Sequence, residues 1–271
     1  MASEESDTGR LANGIDCHVH IFSRDLTLSP VRRYEPDYEA TPEALLQTLS
    51  GSGLDRALLV QPSFLGTDNT YLLDAISRYP DRFRGVAVVD TSTDRKAMEE
   101  LADRGVVGVR LNAIGRASPD ISSLAYRQLT DLLAELDLFL EIQAENSQWN
   151  DMASGLLDLP CTIVIDHFGR TPVNHDSGGF NSLLNIAQTK DIWFKFSAPY
   201  RFGEPAARDC ARLLLDVVGP ERIVWGSDWP WTQFEDRHIY VDCMHWLVDW
   251  LGPSEVQNIL VHNASKLVRF K

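Results

Sequence analysis

The chain has 271 residues, of which 44% are hydrophobic and 24% charged, enough for one large globular domain with a full apolar core. Twenty-five basic against thirty-nine acidic residues give a formal charge of −14, which argues against nucleic acid or anionic membrane as a partner, since both reward a basic surface. No run approaches the roughly eighteen apolar residues of a membrane span, and the opening MASEESDTGR is acidic rather than basic-then-apolar, so neither an anchor nor a secretory signal is expected and a cytoplasmic setting fits best.

Residues 1–13 read as a disordered tail and 14–271 as one domain. The first strand-like run, IDCHVHIF (15–22), places His18 and His20 on one face and Cys17 and Val19 on the other, because side chains alternate along an extended chain. The loop SRDLTLSPVRRYEPDYEAT contains Tyr34. It leads to Thr41-Pro42-Glu43, which has the form of an N-cap, a proline in the first turn and an acidic first turn, so a helix is expected through ALLQTL to Gly51 or Gly53.

DRALLVQPS (55–63) is a second apolar strand and ends in Gln61 and Ser63; FRGVAVVD (83–90) is a third and offers only Asp90. Asp94 can cap KAMEELADRG, where Met98, Leu101 and Ala102 recur at helical spacing. GVVGVRLNAI (105–114) ends in Arg110 and Asn112, with Arg116 beyond, and SLAYRQLTDLLAEL (123–136) reads as a helix. LFLEIQAE (138–145) brings Gln143 and Glu145; CTIVIDHFG (161–169) brings Asp166, His167 and Arg170. IWFKFSA (192–198) brings Lys195 and Ser197, followed by Tyr200 and Arg201. After the helix PAARDCARLLLDVVG, RIVWGSDWP (222–230) supplies Asp228, and HIYVDCMHWLVDWLG (238–252) is a further helix.

Eight strands with starts one βα unit apart, several of them apolar throughout, predict a parallel (β/α)8 barrel. No glycine-rich phosphate loop follows any strand, which speaks against a doubly wound nucleotide-binding sheet. In the barrel, chemistry sits at the C-terminal strand ends, where seven of the eight runs carry polar residues. The four cysteines, Cys17, Cys161, Cys210 and Cys243, form no C-x-x-C pair and read as small buried hydrophobes.

IDCHVHIF, VIDHFG, VWGSDWP and the terminal ILVHNASKLVRF together resemble the amidohydrolase superfamily, from about residue 14 onward. More narrowly, VQPSFLGTDNTYLLDAI, GVRLNAIGR, DHFGR and SAPYRFG resemble the 2-pyrone-4,6-dicarboxylate lactonases and their neighbours. The resemblance implies hydrolysis of a cyclic ester from aromatic degradation, without a metal. It also implies Asp228 as the base that activates water, with His18, His20 and His167 donating hydrogen bonds to the carbonyl oxygen. The tryptophans on either side of Asp228, Trp225 and Trp229, are expected to raise its pKa by desolvation.

Arg110, Arg116, Arg170 and Arg201 form a positive cluster in an acidic chain, suited to a small anionic lactone with more than one carboxylate. Ser63, Tyr34 and Gln143 are further substrate contacts. Most amidohydrolases hold divalent ions, but here the fourth strand offers Arg110, which cannot ligate, and the fifth offers Gln143 where a histidine is expected. One zinc or manganese on His18, His20, His167 and Asp228 remains the alternative. With it go a metal-dependent lactonase for a sugar lactone or muconolactone, and a decarboxylase of a small aromatic acid. His175, His238, His245 and His262 receive no role. The helix bearing Trp246 and Trp250 could bury against the barrel or against a second copy, so a homo-oligomer stays open.

Overall fold

The structure, a computed structural model, describes residues 13–171 and 178–270. Eight parallel strands run in the order of the chain: β1 (Ile15–Val19), β2 (Arg56–Val60), β3 (Phe83–Ala87), β4 (Val106–Asn112), β5 (Phe139–Gln143), β6 (Ile163–Ile165), β7 (Ile192–Ser197) and β8 (Ile223–Gly226). Between and after them lie α1 (Pro42–Gly51), α2 (Thr70–Arg78), α3 (Arg95–Asp103), α4 (Leu124–Glu135), α5 (Gln148–Asp158), α6 (Gly178–Thr189), α7 (Glu204–Val218) and α8 (Tyr240–Trp250). This is the expected single-domain (β/α)8 barrel. The expected disorder of residues 1–13 falls, except for Asn13, outside the described residues, as does His175.

The N-caps are where the sequence puts them: Ala44 N–H donates to Thr41 Oγ1 at 3.2 Å and Ala97 N–H to Asp94 Oδ1 at 2.8 Å. Helices α2, α5 and α6 were not among the expected ones; α6 opens on Gly178 and Gly179, and α5 on Gln148-Trp149, without a strong capping signal. Two strands are shorter than their apolar runs. β6 stops at Ile165 and β8 at Gly226, because His167 (φ 52) and Asp228 (φ 61) turn into the left-handed region and leave the ladder. That turn aims both side chains at the barrel axis.

The seam between β8 and β1 is closed by few bonds. His20 N–H donates to Trp229 O at 2.8 Å and Asp228 N–H to His18 O at 2.9 Å. Beneath them the buried Asp16 carboxylate accepts from Ser227 N–H (3.0 Å), His18 N–H (3.1 Å) and the Tyr240 hydroxyl (2.7 Å), tying β1, the end of β8 and α8 together. Gly226 is required here: a Cβ would lie 2.4 Å from that of His18. The close approach sets His18 and His20 beside Asp228.

Inside the barrel, polarity rises along the axis with the two-residue period of the strands. Phe139, Glu141 and Gln143 follow one another on β5; Trp193, Lys195 and Ser197 on β7; Val164 and Asp166 on and after β6. Ile15, Cys17, Leu58, Val86, Phe139, Val164, Trp193 and Val224 form an apolar floor, sealed by Ala264, Leu267 and Val268 of the C-terminal helix. All four cysteines are buried and none is in a disulfide. Trp250 packs edge-on against Phe168, with ring centroids 5.2 Å apart, and Trp246 lies near Tyr200, so the tryptophans of α8 cover the barrel of their own chain.

Candidate active site

A cavity of about 150 Å³ opens at the C-terminal strand ends. It is lined by nine of the residues expected there: His20, Tyr34, Ser63, Arg110, Gln143, His167, Arg170, Arg201 and Asp228. His18 lies just beneath, its Nε2 3.6 Å from Asp228 Oδ1. Arg116 is the exception. It is exposed and outside the cavity wall, because its loop turns away after Ala113, where Gln148 Nε2 donates to both the Ala113 and Arg116 carbonyls. Asn112, which the sequence places beside Arg110 at the same strand end, also lines the wall, and Thr232, Gln233, Phe234 and Arg33 complete much of it without a marked signal, since they come from loops without periodicity.

Asp228 is fully buried, and its two oxygens have different tasks. Oδ2 accepts from Tyr200 Oη (2.6 Å), Arg201 Nε (2.8 Å) and Arg201 Nη2 (2.7 Å). Oδ1 has no hydrogen-bond partner among the described residues and faces His20 Nε2 at 3.5 Å, His18 Nε2 at 3.6 Å and His167 Nε2 at 4.0 Å. The expectation of a raised pKa is corrected by this geometry. Burial does work upward, but the Arg201 guanidinium and the surrounding imidazoles outweigh it and hold the carboxyl well below its usual range. Asp228 is ionised at any ordinary pH.

The partners of the other ring nitrogens assign the histidines different roles. His20 Nδ1 lies 2.7 Å from the Val60 carbonyl, which can only accept, so Nδ1 carries a proton and Nε2 is the nitrogen that faces Asp228 and the cavity. His18 Nδ1 lies 3.2 Å from both Lys195 Nζ, which can only donate, and Asp166 Oδ1, which can only accept. Burial pushes the His18 pKa down to about 3, so the ring is neutral. His167, also driven down by burial, pairs at Nδ1 with the Ser197 hydroxyl at 2.7 Å.

Below the histidines sits an ion network that the sequence did not assign. Lys195 bonds Glu141; Arg110 donates to Asp166 from Nε (3.0 Å) and Nη2 (2.8 Å), to Gln143 Oε1 at 3.0 Å, and lies 3.3 Å from Glu141. Two cations balance two carboxylates, all buried. Burial, with the nearby Asp166 charge, raises Glu141 to about 7, while Arg110 and Lys195 outweigh burial at Asp166 and keep it well below its usual range. A charged residue in the middle of the apolar run LFLEIQAE was the available signal for Glu141.

At the rim, Tyr34 and Tyr38 from the β1–α1 loop both donate to Glu235 Oε1, at 2.5 and 2.8 Å, and clasp that loop to the one after β8. The Tyr34 proton is thus committed, and burial and Glu235 raise its pKa to about 12; toward a ligand it can only accept. Arg170 (φ 48) is set by the left-handed turn that follows His167; it lies 3.3 Å from Glu145, and its buried Nε has no partner among the described residues. Four guanidiniums, Arg33, Arg110, Arg170 and Arg201, line the cavity against one carboxylate, Asp228.

Comparison with known proteins places this arrangement. Residues 15–270 match the amidohydrolase family model. A 4-sulfomuconolactone hydrolase of Hydrogenophaga intermedia is 28% identical over 267 residues, 93% of this chain and 87% of its own. A 2-pyrone-4,6-dicarboxylate hydrolase of Comamonas testosteroni is 29% identical over 278 residues, 94% of this chain and 90% of its own. The crystal structure of a probable 2-pyrone-4,6-dicarboxylic acid hydrolase of Acinetobacter baumannii with citric acid bound superposes with a TM-score of 0.91 at 32% identity, covering 95% of this chain and all of the other. With a single barrel matched from its first strand to its C-terminal helix, this chain belongs to the amidohydrolase family.

Proposed function

We propose that this protein hydrolyses a small lactone bearing more than one anionic group, of the 2-pyrone-4,6-dicarboxylate or sulfomuconolactone kind that its relatives are named for. One observation carries the proposal: an ionised carboxylate with a bare oxygen, Asp228 Oδ1, at the bottom of a cavity walled by four guanidiniums. A neutral sugar lactone would leave that charge without a counterpart.

Water between Asp228 Oδ1 and His20 Nε2 meets two acceptors when the His20 ring holds its single proton on Nδ1, one for each water proton, and its lone pair is left facing the cavity. As it attacks the lactone carbonyl, Asp228 takes one proton. With Lys195 donating to His18 Nδ1 and the Ser197 hydroxyl to His167 Nδ1, His18 Nε2–H and His167 Nε2–H are the donors for the developing oxyanion. The C–O ring bond then breaks, and the proton held on Asp228 goes to the departing oxygen. A carboxyl whose pKa is low when ionised is a strong acid once protonated, which favours this second transfer.

The donors around Asp228 match a zinc site in type, since His18, His20 and Asp228 can converge on one point. The charge does not match. Asp228 is already neutralised by Arg201, and Glu141 and Asp166 by Arg110 and Lys195. The proposal is therefore hydrolysis by water alone. Four buried cysteines outside any disulfide accord with a reducing, cytoplasmic setting, and no helix among the described residues is long and apolar enough to cross a membrane.

The test is turnover of 2-pyrone-4,6-dicarboxylate and of a sulfomuconolactone, followed by loss of the ring chromophore. Rapid hydrolysis of either is expected; turnover confined to neutral aldonolactones would overturn the assignment.

A further inference from the structure

We infer that Arg33, from the loop between β1 and α1, holds the second anionic group of the substrate and so sets the preference for doubly charged lactones. This rests on the proposed lactone hydrolysis and deepens it. Of the four guanidiniums in the cavity wall, two are occupied: Arg201 by Asp228, and Arg110 by Asp166 and Gln143. Arg170 leans on Glu145. Arg33 lines the same cavity and makes no hydrogen bond or ion pair among the described residues.

Its surroundings oppose its charge. Partial burial lowers its pKa, and Arg110, Arg116 and Arg201 add like-charge repulsion that Glu145 offsets only in part. A cation left in that position gains most from an incoming anion, and a guanidinium can meet a carboxylate or sulfonate through two parallel bonds. Gly115 gives it room: a Cβ there would stand 3.0 Å from Arg33 Cδ. Arg116, one residue further on, is exposed and not part of the cavity wall. Distance from the water site fits the assignment as well, since Asp228 and its imidazoles occupy the floor while Arg33 is at the exposed rim.

The experiment compares wild type with Arg33→Met, Arg33→Lys and Arg116→Met, each checked for native circular dichroism. Steady-state kinetics use 2-pyrone-4,6-dicarboxylate as the doubly charged lactone and muconolactone as the singly charged one, and calorimetry measures binding of citrate. Arg33→Met is expected to raise KM for the dicarboxylate by about tenfold or more with kcat little changed, to leave KM for muconolactone within about threefold, and to weaken citrate by a similar factor. Arg33→Lys should recover part of the loss, and Arg116→Met should behave as wild type. An unchanged KM for the dicarboxylate in Arg33→Met, or a larger effect of Arg116→Met, overturns the inference. Should wild type open neither lactone, the proposed reaction is wrong, and citrate binding alone then decides for or against Arg33 as an anion contact.

Discussion

Arg201 grips one oxygen of Asp228 and leaves the other bare. Both its Nε and its Nη2 reach Oδ2, at 2.8 and 2.7 Å, while Oδ1 faces three imidazoles without a bond of its own. The pair thereby does two things at once. It keeps a fully buried carboxylate ionised, and it fixes which oxygen is free to take a proton.

Replacing Asp228 with Asn keeps the shape of the side chain, so Tyr200 can still be paired, but removes the proton acceptor. Hydrolysis is expected to fall by about a thousandfold in kcat with an unchanged melting curve. Near-normal kcat in a folded Asp228→Asn protein would eliminate Asp228 as the base.

Arg201→Met acts on catalysis as well as on binding, which revises the expectation from sequence that it would chiefly weaken substrate. Without the guanidinium, burial raises Asp228, and the ionised form that accepts a proton exists only above that higher pKa. The acid limb of kcat/KM, absent from the wild-type profile between pH 5 and 8, is expected to move up into that range, with kcat reduced. A pH profile superimposable on that of wild type would show that Arg201 does not tune the base.

Gentle purification followed by elemental analysis should find zinc and manganese at well under one equivalent per chain, and chelator should leave turnover unchanged. A stoichiometric ion whose removal abolishes activity and whose return restores it would replace the water-only mechanism with metal chemistry on His18, His20, His167 and Asp228.

The Asp16 tether gives a pH signature in stability. Burial raises its carboxyl to about 6 in spite of three hydrogen bonds. Because the folded pKa lies above the unfolded one, the contribution is complete below about pH 4 and is lost as pH rises through 6, a change on the order of 3 kcal/mol. Asp16→Asn cannot titrate. Urea unfolding should therefore show the stability of wild type relative to Asp16→Asn growing as pH falls from 7 to 4; a constant difference would contradict the raised pKa.

The strand count, the parallel order and most of the cavity wall were legible before any coordinates. Apolar runs such as TIVI and ALLV require burial on both faces, and the polar residues that end them can only gather at one rim of a barrel. Two arginines six apart look equivalent along a chain, but the turn after Ala113 leaves Arg116 exposed and off the cavity wall that Arg110 lines. Arg33 was overlooked for the converse reason: nothing in SPVRRYEP distinguishes one arginine from the next until the loop folds over the strand ends.

By itself the sequence determined which chemical groups each strand end could offer, because side-chain alternation and hydrophobic period follow from local covalent geometry. Only the tertiary structure decided their protonation and their direction. Which nitrogen of His18 or His20 bears a proton, and whether Asp228 is a raised or a lowered acid, depends on Lys195, Asp166, Val60 and Arg201, groups brought within about 3 Å from distant parts of the chain, where the loss of water makes each contact count.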